Sequence, residues 1–197
     1  MVPFDKQSVT VIRQSKVGVD TTYEPPLRVG FGISDKTVDL ANAVMGRTVL
    51  VPGAGPNPTH YHANNDVCWY IMSGRIRCIQ ARSDCSERKE IILEAGDFVY
   101  IPSGAIHVIA NASQTEEASL VFCYIGVPNV EASGNVWLTK EHDAFVAPSR
   151  SDGRSATGRL RRQCARRQIA VIRDPPGSVR RHYARTRLAC QRRSGME

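Results

Sequence analysis

Hydrophobic positions along this chain fall in short runs, and the runs are separated by Gly, Pro, Asn, Asp and Ser. Several runs are β-branched or alternate with polar residues, and no segment sustains the i, i+3, i+4 repeat of a long helix. The pattern predicts strands over residues 8–13, 27–33, 47–51, 67–72, 76–81, 90–93, 98–101, 106–110 and 119–126. Residues 35–45 have no clear period and read as a turn with a short helical piece, and residues 52–58 form a Gly/Pro-rich loop. The Tyr23-Glu24-Pro25-Pro26 stretch is a break, because two prolines cannot sit in a central strand. Ser73-Gly74 between two strand runs predicts a hairpin, residues 82–89 a polar excursion, and Glu94-Ala95-Gly96-Asp97 another turn. Short strands at regular spacing imply an all-β, double-sheet jelly-roll barrel, and no internal repeat marks a second one.

Charge divides the chain. Residues 1–147 hold 12 Lys+Arg against 16 Asp+Glu, a net of −4, whereas residues 148–197 hold 14 Arg, no Lys and 3 acids, a net of +11. The formal charge of +7 therefore belongs to the tail, and the body is a mildly acidic globular domain. This break sets the expected organisation: an N-terminal strand or arm over residues 1–28, a barrel over 29–147, and a basic low-complexity tail over 148–197. The tail mixes arginine with Ala, Gly, Ser and Pro, offers no regular apolar face and is expected to be disordered. Arginines can neutralise phosphates, yet Tyr183 is the tail's single aromatic for stacking on bases, so a nucleic-acid partner is disfavoured. An all-arginine tract is also what a GC-rich reading frame yields when read out of frame. The N-terminus lacks a charged region followed by an apolar one, and no run approaches the ~18 apolar residues that span a membrane. Six cysteines without a Cys-x-x-Cys pair read as reduced thiols, which implies a cytoplasmic protein.

The chemistry gathers between Gly53 and Asn111. His60 and His62 are two residues apart, so in a strand both imidazoles point to one face. His107 follows the Pro102-Ser103-Gly104 turn in another apolar run. Three neutral imidazoles converging on one point would hold a divalent transition metal. Any one of them alone would read as packing or as a hydrogen-bond partner. Asp66 is the carboxylate closest to the first pair, and it reads as a fourth ligand, as an acceptor orienting a histidine, or as absent from a three-histidine site. If Asp66 points inward, so do Cys68, Tyr70 and Met72. Tyr61 should face away from the site, Asn111 reads as structural, and His142 and His182 as exposed.

These residues carry a resemblance to the cupins, small β-barrel proteins. Their second motif, G-x5-P-x-G-x2-H-x3-N, is matched by Gly96, Pro102, Gly104, His107 and Asn111. Their first, G-x5-H-x-H-x3-4-E-x6-G, is matched by His60, His62 and Gly74, with Asp66 at the carboxylate position of the shorter spacing. Gly55 lies one residue too close to His60, and Asp66 one residue too far from Gly74; the usual spacing to Gly74 would select Val67. The resemblance spans residues 29–138 and resembles single-domain cupins most.

The resemblance implies a single cupin barrel with one divalent metal on His60, His62, His107 and Asp66. Fe(II) is favoured, with Mn, Ni, Cu or Zn also suited to imidazole ligands. Three histidines and one carboxylate leave two positions of an octahedron open, which suits dioxygenase-type chemistry on a small organic substrate. Decarboxylation, isomerisation and lyase reactions use the same arrangement. A non-catalytic metabolite binder or structural barrel is the alternative, and a nucleic-acid-associated regulator working through the tail is the third. A homodimer is expected, because such barrels pair through their sheets and the 8–13 strand would leave an edge to cover.

Overall fold

Alternation of buried and exposed side chains in a computed structural model, which describes residues 9–139 and 141–147, sorts the chain into strands. They are β1 (Arg28–Ile33), β2 (Ala43–Leu50), β3 (His60–His62), β4 (Val67–Ser73) and β5 (Arg75–Ala81). They continue with β6 (Lys89–Glu94), β7 (Phe98–Ile101), β8 (Ile106–Asn111), β9 (Ala118–Ile125) and β10 (Asn135–Trp137), and a one-turn helix α1 (His142–Val146) follows. One sheet runs β1-β2-β9-β4-β7 and the other β10-β3-β8-β5-β6, five strands each and antiparallel throughout. This is the expected jelly roll.

The two sheets bury their inner faces against each other. In β4, Val67, Trp69 and Ile71 are 1%, 7% and 0% exposed, whereas Tyr70 and Met72 are 41% and 48% exposed. Leu120, Phe122 and Tyr124 of β9 lie beside them, and Ile76, Cys78, Leu93 and Ile109 close the core from the other sheet. Burying apolar side chains of this size contributes roughly 1.5–3 kcal/mol each. A second cluster covers the outer face of the β3–β8–β5 sheet, where Tyr61, Ile79, Ile106 and Val108 pack against Phe145 of α1. Arg88 fastens that helix by donating to the carbonyls of Phe145 and Ala147 at 2.8 and 2.9 Å.

Several expectations need correction. β4 and β5 do not form a hairpin, because at Gly74 the chain passes from one sheet to the other. Gly74 has φ +70°, and a Cβ there would stand 2.6 Å from the Glu117 carbonyl oxygen, so the corner admits no side chain. Residues 9–13 form no strand, and Val9 is 88% exposed: a β-branched run without a partner edge has nothing to pair with. Cys85 is disulfide-bonded, whereas Cys68, Cys78 and Cys123 are free. The reduced-thiol reading therefore fails at Cys85. β10 and α1, at three and five residues, are too short to show a period. Among the described residues no helix is long and apolar enough to cross a membrane. The basic tail and His182 lie outside the described residues.

Candidate metal centre

Strand register assembles the three histidines. β3 lies between β10 and β8, with His60 opposite Trp137 on one side and opposite His107 on the other, and His62 opposite Asn135. Gly104, at φ +81°, turns the chain so that its N–H donates to the His62 carbonyl at 2.8 Å, which seats the start of β8 against β3. One nitrogen from each of His60, His62 and His107 lies within 4.8 Å of the others. The rings stand 4.4 to 5.2 Å apart between centroids.

Every ring is held by its Nδ1. His60 Nδ1 faces the Pro58 carbonyl at 2.8 Å and His107 Nδ1 the Ala105 carbonyl at 3.0 Å. A carbonyl can only accept, so both Nδ1 atoms carry the proton. His62 Nδ1 meets Asn135 Oδ1 at 2.6 Å and Ser133 Oγ at 2.7 Å, and the Ser133 hydroxyl is itself donated to Asn65. His62 therefore also donates from Nδ1. In all three rings the lone pair sits on Nε2, the tautomer a metal ligand needs. His60 Nε2 is buried without a hydrogen-bond partner. Burial suppresses protonation, taking His60 to about 4, His107 to about 3 and His62 to about 2, with mutual repulsion adding to the effect at the last two. The trio is neutral at physiological pH and presents three lone pairs.

The carboxylate beside them is not Asp66. Val67, Trp69 and Ile71 take the inward face of β4, so Asp66 falls on the outward parity. Its carboxylate accepts from the Tyr100 hydroxyl at 2.6 Å and the Ser103 N–H at 2.8 Å, and these bonds hold it below the usual carboxylate range. Asp66 thus ties the corner before β4 to the end of β7. Cys68, Tyr70 and Met72 share its outward side, opposite Val67, Trp69 and Ile71. Cys68 instead pairs across strands with Cys123 and Tyr100.

Glu24 is the carboxylate that reaches the cluster, and the chain pattern marked its segment only as a break. Its Oε1 lies 3.5 Å from His60 Nε2, and its Oε2 accepts from Asn57 Nδ2 at 2.9 Å. Burial raises its pKa, an effect opposed by His107 and Asn57. A cavity of ≈ 20 Å³ lies among Glu24, Asn57, His62, His107, Trp69 and Tyr124, with room for one ion or water. Tyr23 also lines this cavity and bounds an open groove of ≈ 650 Å³ with Pro25, Pro58, Asn135 and Trp137. The Tyr23 hydroxyl accepts from Asn135 Nδ2 and lies 3.2 Å from the Tyr124 hydroxyl.

The remaining residues follow the expectations unevenly. Tyr61 faces away from the histidines into the outer cluster. Asn111 is structural, donating to the carbonyls of Leu50, Val51 and Glu116. His142 is half-buried rather than exposed, with Nδ1 2.8 Å from Thr59 Oγ1.

Residues 46–124 match the family described as Cupin domain. Among solved structures, the chain is similar to Bacillus subtilis oxalate decarboxylase, in a structure concerned with its Mn(II) centres. That likeness has 20% identity and a TM-score of 0.49 and covers 57% of this chain, which spans only 28% of that one. The cumin domain of Drosophila melanogaster CENP-C is 14% identical over 58% of this chain and 76% of its own, with a TM-score of 0.49. Peruvianin-I, described as a cysteine peptidase from Thevetia peruviana latex, is 20% identical over 57% of this chain and 67% of its own, also with a TM-score of 0.49. No curated protein matches the chain in sequence. No activity is carried over from these proteins.

Proposed function

From the match of residues 46–124 to the Cupin domain family, we propose that the protein is a metal-dependent enzyme acting on a small organic molecule. Its three histidines would hold one divalent transition metal. The observation that carries this reading is the trio itself: three buried, neutral imidazoles, each held at Nδ1, with the lone pairs left on Nε2. Such a set has little structural use without a cation, because three buried acceptors held close together gain nothing from one another. An ion held there supplies Lewis acidity and, as Fe(II), the redox centre that dioxygenase-type chemistry needs; this is the specific form we favour.

The protein's own groups define what can approach. Trp69, Leu120 and Phe122 form the apolar part of the cavity wall. Tyr23 stands between cavity and groove, and burial pushes its phenol up to about 12, so at neutral pH it keeps a proton to donate. A substrate would lie in the groove against Trp137 and Pro25 and present one small polar end past Tyr23. Elemental analysis of protein purified without a histidine tag, paired with oxygen uptake against a panel of small carboxylic and hydroxy acids, tests the proposal. One equivalent of metal and uptake dependent on one compound are expected; metal far below one equivalent would refute it.

One observation favours a second reading, a metal-binding barrel without catalysis. The interior cavity of ≈ 20 Å³ admits no organic molecule as it stands. Stoichiometric metal with no turnover on any panel member would select this reading.

We also propose a homodimer, now through the outer face of the β1-β2-β9-β4-β7 sheet. Phe98 is 85% exposed there with its ring tilted against Tyr70 at 4.9 Å, and Met45 and Met72 are exposed on the same side. A two-fold pairing would bury this stripe against its own copy. Light scattering should give twice the chain mass for the native protein and a lower mass for Phe98→Asp; a monomer mass at all concentrations refutes it.

A further inference from the structure

We infer that Glu24, on the loop before β1, is a ligand of the metal site, taking the role that the motif spacing would assign to the β3–β4 corner. The inference rests on the metal reading above and deepens it. Two observations point to Glu24. Its Oε1 stands 3.5 Å from His60 Nε2, a buried atom that no hydrogen bond satisfies. With Glu24 ionised both atoms are acceptors, so the contact calls for a cation between them; a shared proton would instead draw them to hydrogen-bond distance. Two ligands held about 2.0–2.1 Å from one ion, at angles between 90° and 110°, sit about 2.9–3.4 Å apart. The observed 3.5 Å is therefore close to a coordination distance, and too long and too poorly directed to be a hydrogen bond.

The other half of the carboxylate is positioned. Asn57 Nδ2 holds Oε2 at 2.9 Å, and Asn57 is itself clamped to β8. Its Oδ1 accepts from the Ile109 N–H at 2.7 Å and its N–H donates to the Ile109 carbonyl at 3.0 Å. The aim of Glu24 is thereby referenced to the strand that carries His107. At the place where the motif spacing falls, Val67 occupies the inward face of β4 and offers no donor, while both Asp66 oxygens are engaged outside by Tyr100 and Ser103. Among the described residues, Glu24 is the carboxylate that lines the cavity. Its neighbours Tyr23 and Pro25 line the outer groove, so one short loop carries both a ligand and the entrance.

Co(II) titration of the full chain, read by visible absorption and by competition with a chromophoric chelator, tests this. Wild type should bind one equivalent, and Glu24→Gln should lose affinity by about 100-fold and change the ligand-field spectrum. Glu24→Asp, which withdraws the carboxylate by about 1.5 Å, should fall between the two and covers the case in which the glutamine variant does not fold. Unchanged affinity and spectrum in either folded variant would remove Glu24 from the site while leaving a three-histidine centre intact. Failure of wild type itself to bind one equivalent would instead overturn the metal reading. His62→Ala serves as the reference for loss of a histidine ligand.

Discussion

Glu24 and Asp66 are two carboxylates of one small barrel, both on loops beside strands, with opposite surroundings. Glu24 has been drawn inside, with one hydrogen bond from Asn57 and its other oxygen facing a histidine lone pair. Asp66 lies outside, with both oxygens satisfied by Tyr100 and Ser103. Burial raises the pKa of the first, and hydrogen bonds lower that of the second. A well-satisfied surface carboxylate fastens one segment to another and needs nothing further. A buried carboxylate whose oxygen faces a histidine lone pair would be stabilised by a cation held between the two. On the proposed reading, the surroundings of a carboxylate, and not its spacing in a motif alone, single it out as a ligand.

The largest effects should come from the histidines that give Glu24 its setting. Replacing His60, His62 or His107 by Ala should cut metal affinity by about 1,000-fold, because water replaces an imidazole in a dry site. Elemental analysis after dialysis reads the loss directly. If the triple variant retained stoichiometric metal, the ion would lie elsewhere and the contrast between the two carboxylates would lose its meaning.

Acid should come next. In the metal-free protein the three histidines sit near 4, 2 and 3, against an ordinary value of 6.5. Between those values the unfolded chain binds more protons than the folded one, so stability is fully present above 6.5 and is lost as pH falls below it. Urea titrations of the chelated protein should show a loss of roughly 5 kcal/mol from pH 7 to pH 5. The two carboxylates then differ in sign. Glu24, raised above 4.5, costs folding stability as pH climbs through its range, whereas Asp66, lowered below 3.8, adds stability above that value. Glu24→Gln should therefore stabilise the metal-free protein at pH 7 and Asp66→Asn should not. The same sign in both variants would break the comparison.

How much of this could be read from the chain depends on the range of each signal. The histidine trio needs only the i, i+2 parity of His60 and His62 and a turn that starts β8, and the jelly roll brings those local features into register. Nearly every strand with a clear alternation was legible for the same reason. Glu24 was not, because its link to His60 runs through Asn57 and Ile109, a tertiary path with no trace in the spacing. The Gly74 corner reads identically to a hairpin turn, and only the choice of sheet partners tells them apart. Asp66 was misplaced by one residue of register. In a strand that suffices to reverse the face.

A smaller effect tests the support under Glu24. Asn57→Ala removes the donor to Glu24 Oε2 and leaves the buried Ile109 N–H without its acceptor. The expected cost is about 2 kcal/mol, since an unpaired buried amide forfeits most of its hydration. Chemical denaturation measures it, and a loss under about 0.5 kcal/mol would mean that water or a shifted side chain takes over.

The smallest effect should belong to Asp66, and its smallness is informative. Asp66→Asn keeps the side chain's size, and its amide oxygen can still accept from the Ser103 N–H or the Tyr100 hydroxyl, though not with a full charge. The site on the corner is exposed, so the stability change should stay below about 1 kcal/mol. Metal affinity should agree with wild type within about twofold, because the carboxylate is engaged by Tyr100 and Ser103, away from the cluster of His60, His62 and His107. Tyr100→Phe should reproduce the same small loss of stability, and the double variant should lose little more than either alone, as the two remove one interaction. A fall in metal stoichiometry in Asp66→Asn alone would show that the corner reaches the ion after all. It would also exchange the roles assigned here to the two carboxylates, with Glu24 left as a buried acid held by Asn57.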